Sequence, residues 1–259
     1  MTRTYVVTGS ASGIGKATAE LLTERGHRVI GVDLHDADVE VDLTLASDRA
    51  RLVTEVAEKA GGAIDAIVAV AGLALPVPKT VGVNYFGMVA TLEGLRPLLA
   101  GSPAPRAVGV SSMASLHPND AELVDHLLAG DEPAALARAE ILAKDEKTGG
   151  LIYGSTKAAF SRWIRRSAAS PEWAGAGIPL NAVAPGVILT PMTADLTDTE
   201  EKREALRQMV PMPLNGFAEA RTVATLLVWL ASEENTHLCG QVIFVDGGSD
   251  VVIRGDSTW

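Results

Sequence analysis

The sequence predicts an α/β fold: a doubly wound parallel sheet of about seven strands, covered by helices on both faces and built as one domain. Three observations predict it. Short β-branched runs alternate with amphipathic stretches of ten or more residues, the rhythm of strand and crossover helix. The runs are almost unbroken in apolar residues, as in VIGV, AIVAVA and AVGV, so each strand is suited to burial on both faces. With 259 residues, 47% hydrophobic against 21% charged, the chain can bury a substantial core, and no repeat or Pro/Ser-rich linker divides it.

In order along the chain, strand 4–8 (TYVVT) runs into a glycine-rich turn and helix 14–25. Strand 28–33 follows, then a short strand at 39–41 and helix 46–60. Strand 64–70 precedes a long helical stretch, 80–100. Strand 106–111 is followed by helix 154–168, and strand 178–183 by helix 218–232 and strand 241–245. Two segments break the rhythm. Residues 117–150 form a helical insert after the fifth strand: Leu123, Val124, Leu127 and Leu128 share a face, Gly130 ends one helix, and Asp131 and Pro133 suit the cap and first turn of the next. Its apolar face reads as a contact with a second protomer, the wall of a substrate cleft being the alternative. Residues 187–217, rich in Met, Leu, Pro and Thr without a clear period, read as a loop or lid.

Bulk properties exclude several classes. A net charge of −10 argues against a nucleic-acid partner, and Arg162, Arg165 and Arg166 make only a short basic patch. Cys239 is the only cysteine and the five histidines are scattered, so no intrachain disulfide forms and no metal site is expected; a reducing cytoplasm suits the chain. The most apolar run, 66–77, is too short to span a bilayer, and the N terminus passes directly into a strand-like segment with no signal pattern.

The turn TGSASGIG, 8–15, lies where a strand ends and a helix opens, so its unpaired amides and the helix dipole favour a phosphate. Gly9, Gly13 and Gly15 permit the turn and let backbone approach a pyrophosphate. Asp33 ends the second strand, where a carboxylate accepts hydrogen bonds from the adenosine ribose. It would repel a ribose phosphate, and Leu34 and His35 offer no compensating cation, which predicts NAD in preference to NADP. Asp42, in VDLT, either faces the adenine ring or caps the local backbone. In YGSTK, 153–157, Tyr153 and Lys157 stand one helical turn apart on one face. A phenol titrates at about 10 unaided, and a neighbouring ammonium favours the phenolate.

These motifs, with AG at 71–72, VNYFG at 83–87, VSSMAS at 110–115, NAVAPGVILTP at 181–191 and FVDGG at 244–248, make the chain resemble the short-chain dehydrogenase/reductase family over essentially its whole length. The resemblance implies a Rossmann-type fold and hydride exchange between NAD and a secondary alcohol or ketone. It makes Tyr153 the general acid/base, Lys157 its electrostatic partner, Ser112 the hydroxyl on the reacting oxygen, and Asn84 the fourth member, holding a water that links Lys157 to solvent. From the residues alone, Asn84 could instead cap a helix and Ser112 satisfy backbone at a strand end. The cofactor contacts it implies add Ser12, Ile14, Leu43, Ala71, Gly72, Pro185, Gly186, Ile188 and Thr190. Two departures stand out: Ala69, Val70, Ala71 and Gly72 replace Asn-Asn-Ala-Gly, losing an asparagine that ties strands together, and Ser112 and Tyr153 are 41 residues apart.

The long insert, VNYFG, VSSMAS and the single AG resemble the bacterial 3α-hydroxysteroid dehydrogenase/carbonyl reductase subgroup, which implies a steroid-like substrate and a homodimer or homotetramer. Leu189, Met192, Leu196, Met209, Met212 and Leu214 would give the 187–217 loop an adaptable apolar surface for a ring-shaped lipophilic alcohol, packing against the core being the alternative. A terpenoid or other cyclic alcohol would use the same chemistry. A dinucleotide-sensing protein without turnover would need no proton carrier.

Overall fold

The computed structural model describes residues 2–258. Its strands are β1 (Thr4–Thr8), β2 (Arg28–Asp33), β3 (Val39–Glu40), β4 (Ala66–Ala69), β5 (Arg106–Val110), β6 (Leu180–Pro185), β7 (Ile188–Leu189), β8 (Ala218–Glu219) and β9 (Val242–Val245). Seven of them form one sheet in the order β3-β2-β1-β4-β5-β6-β9, every pair parallel. The strand order reverses between β1 and β4, and the strand ends there open the crevice in which doubly wound sheets bind ligands.

Side-chain alternation along the strands feeds two cores. Tyr5 and Val7 of β1 pack on one side with Leu22 of α1 (Gly13–Glu24) and Leu227 of α10 (Ala220–Leu230). Val6, between them, points to the other side, with Leu52 of α2 (Ala46–Ala60), Leu92 of α4 (Met88–Leu95) and Phe160 of α8 (Leu151–Ser167). A one-residue slip of β1 would therefore exchange the two cores, which is why buried strands hold their register. Each fully buried Val or Leu contributes about 1.5–3 kcal/mol.

The stretch 80–100, expected as one helix, is four pieces: α3 (Pro78–Val81), a π turn (Gly82–Gly87), α4 and a 3₁₀ segment (Arg96–Gly101). Close packing breaks the regularity. A Cβ at Gly87 would stand 2.8 Å from Leu43 Cβ, and one at Gly82 would stand 3.3 Å from Thr44. Pro97, lacking an N–H, lies in the final 3₁₀ piece.

The 117–150 insert contains α5 (Ala121–Ala129), α6 (Glu132–Leu142) and a single turn, α7 (Glu146–Gly149). Gly130 adopts φ 73° and the Asp131 side chain accepts the Ala134 amide, as the spacing predicted. The expected use of its apolar face is not seen. Leu123, Val124 and Leu127 are buried within this same chain, in the core that holds Ile152 and Ala159 of α8, and no insert residue lines the main cleft. Arg138 grips Asp120 at 3.0 and 2.7 Å, and the Asp120 amide donates to Ser155 Oγ at 2.8 Å, fastening the insert to the helix that carries Tyr153.

The 187–217 segment is more ordered than a loop. Ile188 pairs with Ala218 and Leu189 with Glu219, a 3₁₀ turn spans Pro191–Leu196, and α9 covers Glu200–Met209. The sequence EEKREALRQM is amphipathic but mostly charged, with only Ala205, Leu206 and Met209 on its apolar side, so a reading led by apolar runs passes over α9. Thr199 caps it, and Lys202–Asp198 and Arg207–Glu200 pairs at 2.9 and 2.6 Å line a helix with no buried residue. The last helix is α11 (Ser249–Arg254). Among the described residues no helix is long and apolar enough to cross a membrane.

Candidate active site

A cleft of about 460 Å³ opens at the C-terminal ends of β1, β2, β4, β5 and β6, and the glycine-rich turn, Asp33 and the Ser112, Tyr153 and Lys157 group all line it. The turn is shaped for a diphosphate. Gly9 and Gly13 have φ of 70° and 51°, a region costly for other residues. A Cβ on Gly15 would overlap the Gly9 carbonyl oxygen. The amides that open α1 are thereby bared without a side chain in front of them, which fits an anionic dinucleotide.

Asp33 accepts from the Ala11 amide at 2.9 Å and from its neighbour Leu34 at 2.7 Å, which fixes its carboxylate at the turn's edge as the strand-end spacing predicted. Asp42 does what the capping reading foresaw: Oδ1 accepts from the Thr44 amide and hydroxyl at 2.9 and 2.6 Å. It also lines the cleft, and Lys79 Nζ stands 3.5 Å from Oδ2. Lys79 carried no sequence signal beyond being one lysine at a helix start.

At the other end, β5 delivers Ser112. Its hydroxyl oxygen accepts the Ala114 amide at 3.1 Å, so its own hydrogen is free to donate into the cleft. Tyr153 and Lys157 rise from one face of α8, with Nζ 5.8 Å from the phenol ring centroid. Lys157 is 3% exposed and donates to the Val110 carbonyl at 2.9 Å. Burial pushes the Lys157 ammonium down to about 7. Burial also raises the Tyr153 phenol, with the Ser112 hydroxyl pulling it partly back. The expected lowering of the phenol by its lysine is therefore not what the protein groups alone produce: both are driven toward their neutral forms.

Asn84 sits in the π turn, fully buried. Its Oδ1 accepts the Leu73 amide at 2.7 Å, while Nδ2 donates to the Leu73 carbonyl at 2.8 Å and reaches Thr156 Oγ1 at 3.3 Å. The side chain thus pairs with loop backbone rather than capping a helix. Ser12, Ile14, Leu43, Ala71, Gly72, Pro185, Gly186, Ile188 and Thr190 all line the cleft, as the resemblance implied. Of the residues assigned to the substrate, only Met192 does. Leu196, Met209 and Leu214 face solvent, Leu189 is half-buried off the cleft, and Met212 is buried, where a Cβ on Gly186 would stand 2.9 Å from its Sδ. Leu73, Leu75, Pro191 and Thr193 also line it and were not foreseen. Thr8 was also missed: its hydroxyl accepts the Val70 and Ala71 amides at 3.0 and 3.1 Å, making the inter-strand tie that the absent asparagine would have made.

The short chain dehydrogenase family matches over residues 3–124, and the family described as Enoyl-(Acyl carrier protein) reductase over residues 134–250. A 3-alpha-hydroxysteroid dehydrogenase/carbonyl reductase of Comamonas testosteroni is 35% identical over 255 residues, covering 96% of this chain and 97% of its own. A cis-4-hydroxycyclohexanecarboxylate dehydrogenase of Sinomonas cyclohexanicum is 31% identical over 96% of this chain and 97% of its own. Among solved structures, the 3-alpha-hydroxysteroid dehydrogenase of Pseudomonas sp. B-0831 complexed with NADH superposes with a TM-score of 0.87 at 39% identity, over 98% of this chain and 99% of that one. The chain belongs to the short-chain dehydrogenase/reductase family. It is a nicotinamide-dinucleotide-dependent oxidoreductase, and a cleft lined by a glycine turn without obstructing side chains, by Asp33 and by Lys157 has the chemistry to fit such a cofactor.

Proposed function

We propose that the chain interconverts a secondary alcohol and a ketone on an uncharged alicyclic substrate, a 3α-hydroxysteroid or a compound of similar shape, with NAD as the preferred cofactor. The oxidised nicotinamide, when bound, accepts the hydride and adds a positive charge to the site. Tyr153 takes the alcohol proton in oxidation and returns it in reduction, the Ser112 hydroxyl donates to the reacting oxygen, and Lys157 keeps a proton-carrying nitrogen beside the phenol. Asn84 holds Leu73, and with it the loop that walls this end of the cleft.

The observation that carries the substrate class is the charge of the lining. Its only cations are Lys79, paired with Asp42, and Lys157, bound to the Val110 carbonyl. At the Ser112 and Tyr153 end the lining's cation is Lys157, already bound to a carbonyl, so a substrate carboxylate gains little there, whereas Leu73, Leu75 and Met192 suit a carbocycle. Leu34 and His35, which follow Asp33, supply no arginine or lysine for a ribose phosphate, and Lys79 is engaged by Asp42, which supports NAD over NADP. In this reading the enzyme works in the cytoplasm as a homodimer or homotetramer; exposed Val251 and Val252 of α11 support self-association, which light scattering tests.

A panel assay decides the reading. Purified protein is given NAD or NADP with 3α-hydroxysteroids, simple cyclic and terpenoid alcohols, and hydroxycyclohexanecarboxylates. Faster turnover of the neutral alicyclic alcohols with NAD is expected. A preference for the carboxylates, or for NADP, would overturn the substrate or cofactor assignment respectively. NADH binding without turnover of any alcohol would point instead to a sensor.

A further inference from the structure

The adenosine side of the cleft carries an ion pair with no assigned role. Lys79, at the start of α3, faces Asp42, on the loop after β3, with Nζ 3.5 Å from Oδ2. The other oxygen of Asp42 is engaged twice by Thr44. Burial works against its charge, but the hydrogen bonds from Thr44 and the nearby Lys79 outweigh it and hold the carboxyl below its ordinary range, so Asp42 is an anion at neutral pH. The pair is not sealed away: the side chains are 51% and 27% exposed, and both line the cleft. At 3.5 Å it is longer than a tight charge-assisted hydrogen bond, which leaves the ammonium free to respond to a second anion.

The charges along this wall give the pair its meaning. On the adenosine side the lining carries Asp33 and Asp42, and Lys79 is the cation beside them; Lys157 stands at the opposite end, held to Val110. A dinucleotide brings two further negative charges in its diphosphate. Without Lys79 it would enter against two carboxylates, and with Lys79 against one net negative charge.

We infer that Lys79 is a cofactor-affinity residue: it neutralises Asp42 and supplies the positive charge on the adenosine side that lets an anionic dinucleotide bind. This rests on the reading of the cleft as a dinucleotide site. The residue takes no part in the proton or hydride step, so its effect is read directly in cofactor binding. It acts on the half of the ligand shared by NADH and ADP-ribose.

The test titrates NADH and ADP-ribose into wild type, Lys79→Met and Lys79→Arg at low and at physiological ionic strength. Lys79→Met should raise the Kd for both ligands, by about tenfold at low salt and about threefold at 0.15 M, because an exposed charge is screened. Lys79→Arg should restore both affinities. Unchanged affinities in Lys79→Met at low salt, with wild type binding normally, would overturn the inference and leave the dinucleotide site standing. An equal loss in Lys79→Arg would also overturn it, since side-chain shape would then matter and charge would not. Wild type that binds neither ligand would overturn the dinucleotide reading itself.

Discussion

Thr8→Val removes one oxygen and keeps the side-chain shape, so it isolates the tie between β1 and the end of β4. Thr8 is buried, and its Oγ1 accepts the amides of Val70 and Ala71 at 3.0 and 3.1 Å. Valine fits the same space, so no cavity opens, and the loss is that of two acceptor contacts. Leaving a fully buried donor unpaired costs about 1–3 kcal/mol. Val70 and Ala71 are only half-buried, so water can reach them in part, and about 1 kcal/mol each is the appropriate share. The sum, about 2 kcal/mol, corresponds to a fall in Tm of about 4–8 °C for a chain of this length. Because a Cβ on Gly9 would stand only 3.0 Å from the Ala71 amide nitrogen, loosening β4 there should also weaken NADH binding. Denaturant unfolding followed by circular dichroism, with Thr8→Ser alongside, measures the effect. Thr8→Ser keeps the acceptor and loses a methyl, and should fall by about 1 kcal/mol or less. A Thr8→Val midpoint within about 1 °C of wild type, or a Thr8→Ser loss as large, would refute the proposed tie.

Tyr153→Phe should lower kcat by at least about a thousandfold while NADH affinity stays within a few-fold, because the phenol oxygen carries the proton and its ring supplies only bulk; stopped-flow turnover and fluorescence titration read the two separately. Gly15→Ala should abolish NADH binding in a folded protein, since the new Cβ overlaps the Gly9 carbonyl oxygen and forces the turn open; retained affinity would show that the turn yields. Lys157→Met separates stability from chemistry. The wild-type lysine titrates at about 7 when folded, below its unfolded value of about 10.4, so between these pH values the unfolded chain binds more protons. Wild type should therefore gain stability over Lys157→Met as pH rises from 7 to 10, by up to about 1.4 kcal/mol per pH unit, and lose that advantage as pH falls to 7. Denaturant midpoints across that range, measured for both proteins, check the sign.

Strands that lie between two layers of helix announce themselves, and so β1 and β2 have the limits that their apolar runs suggest. Helix α2 does as well, because its apolar face recurs at helical spacing and Gly61 stops it in a left-handed turn. What stayed hidden depends on partners distant in sequence. The π turn around Asn84 follows from the close approach of Gly82 and Gly87 to Thr44 and Leu43, some forty residues earlier. Helix α9 is held by charges, a cap and the packing of Leu206 on Val210 and Met212, an apolar side too narrow to stand out in a charged segment. The glycine turn, Asp33 and the Tyr153–Lys157 pair, read from spacing, and Ser112, read from the family resemblance, meet in one cleft because each stands at a strand end or on the first turns of a helix beside it. Thr8 and Lys79 could not be named in advance, since a threonine in a strand or a lysine on a short helix has many uses, and only the neighbours 62 and 63 or 37 residues away show which applies. The insert taught the same lesson in reverse: its apolar stripe was legible, but the surface that covers it proved to be α8 of the same chain.

The bond from Lys157 to the Val110 carbonyl spans β5 and α8 one residue before the serine pair begins. In the proposed reading the proton carrier and the oxyanion donor are consequently bolted to a common chassis, which 191–217 meets at Met113 through Val210 and Met212. Grafting that segment from a relative, with Val210 and Met212 kept, should retune which molecules are accepted while the stereochemical outcome and the kinetic isotope effect on hydride transfer are inherited intact.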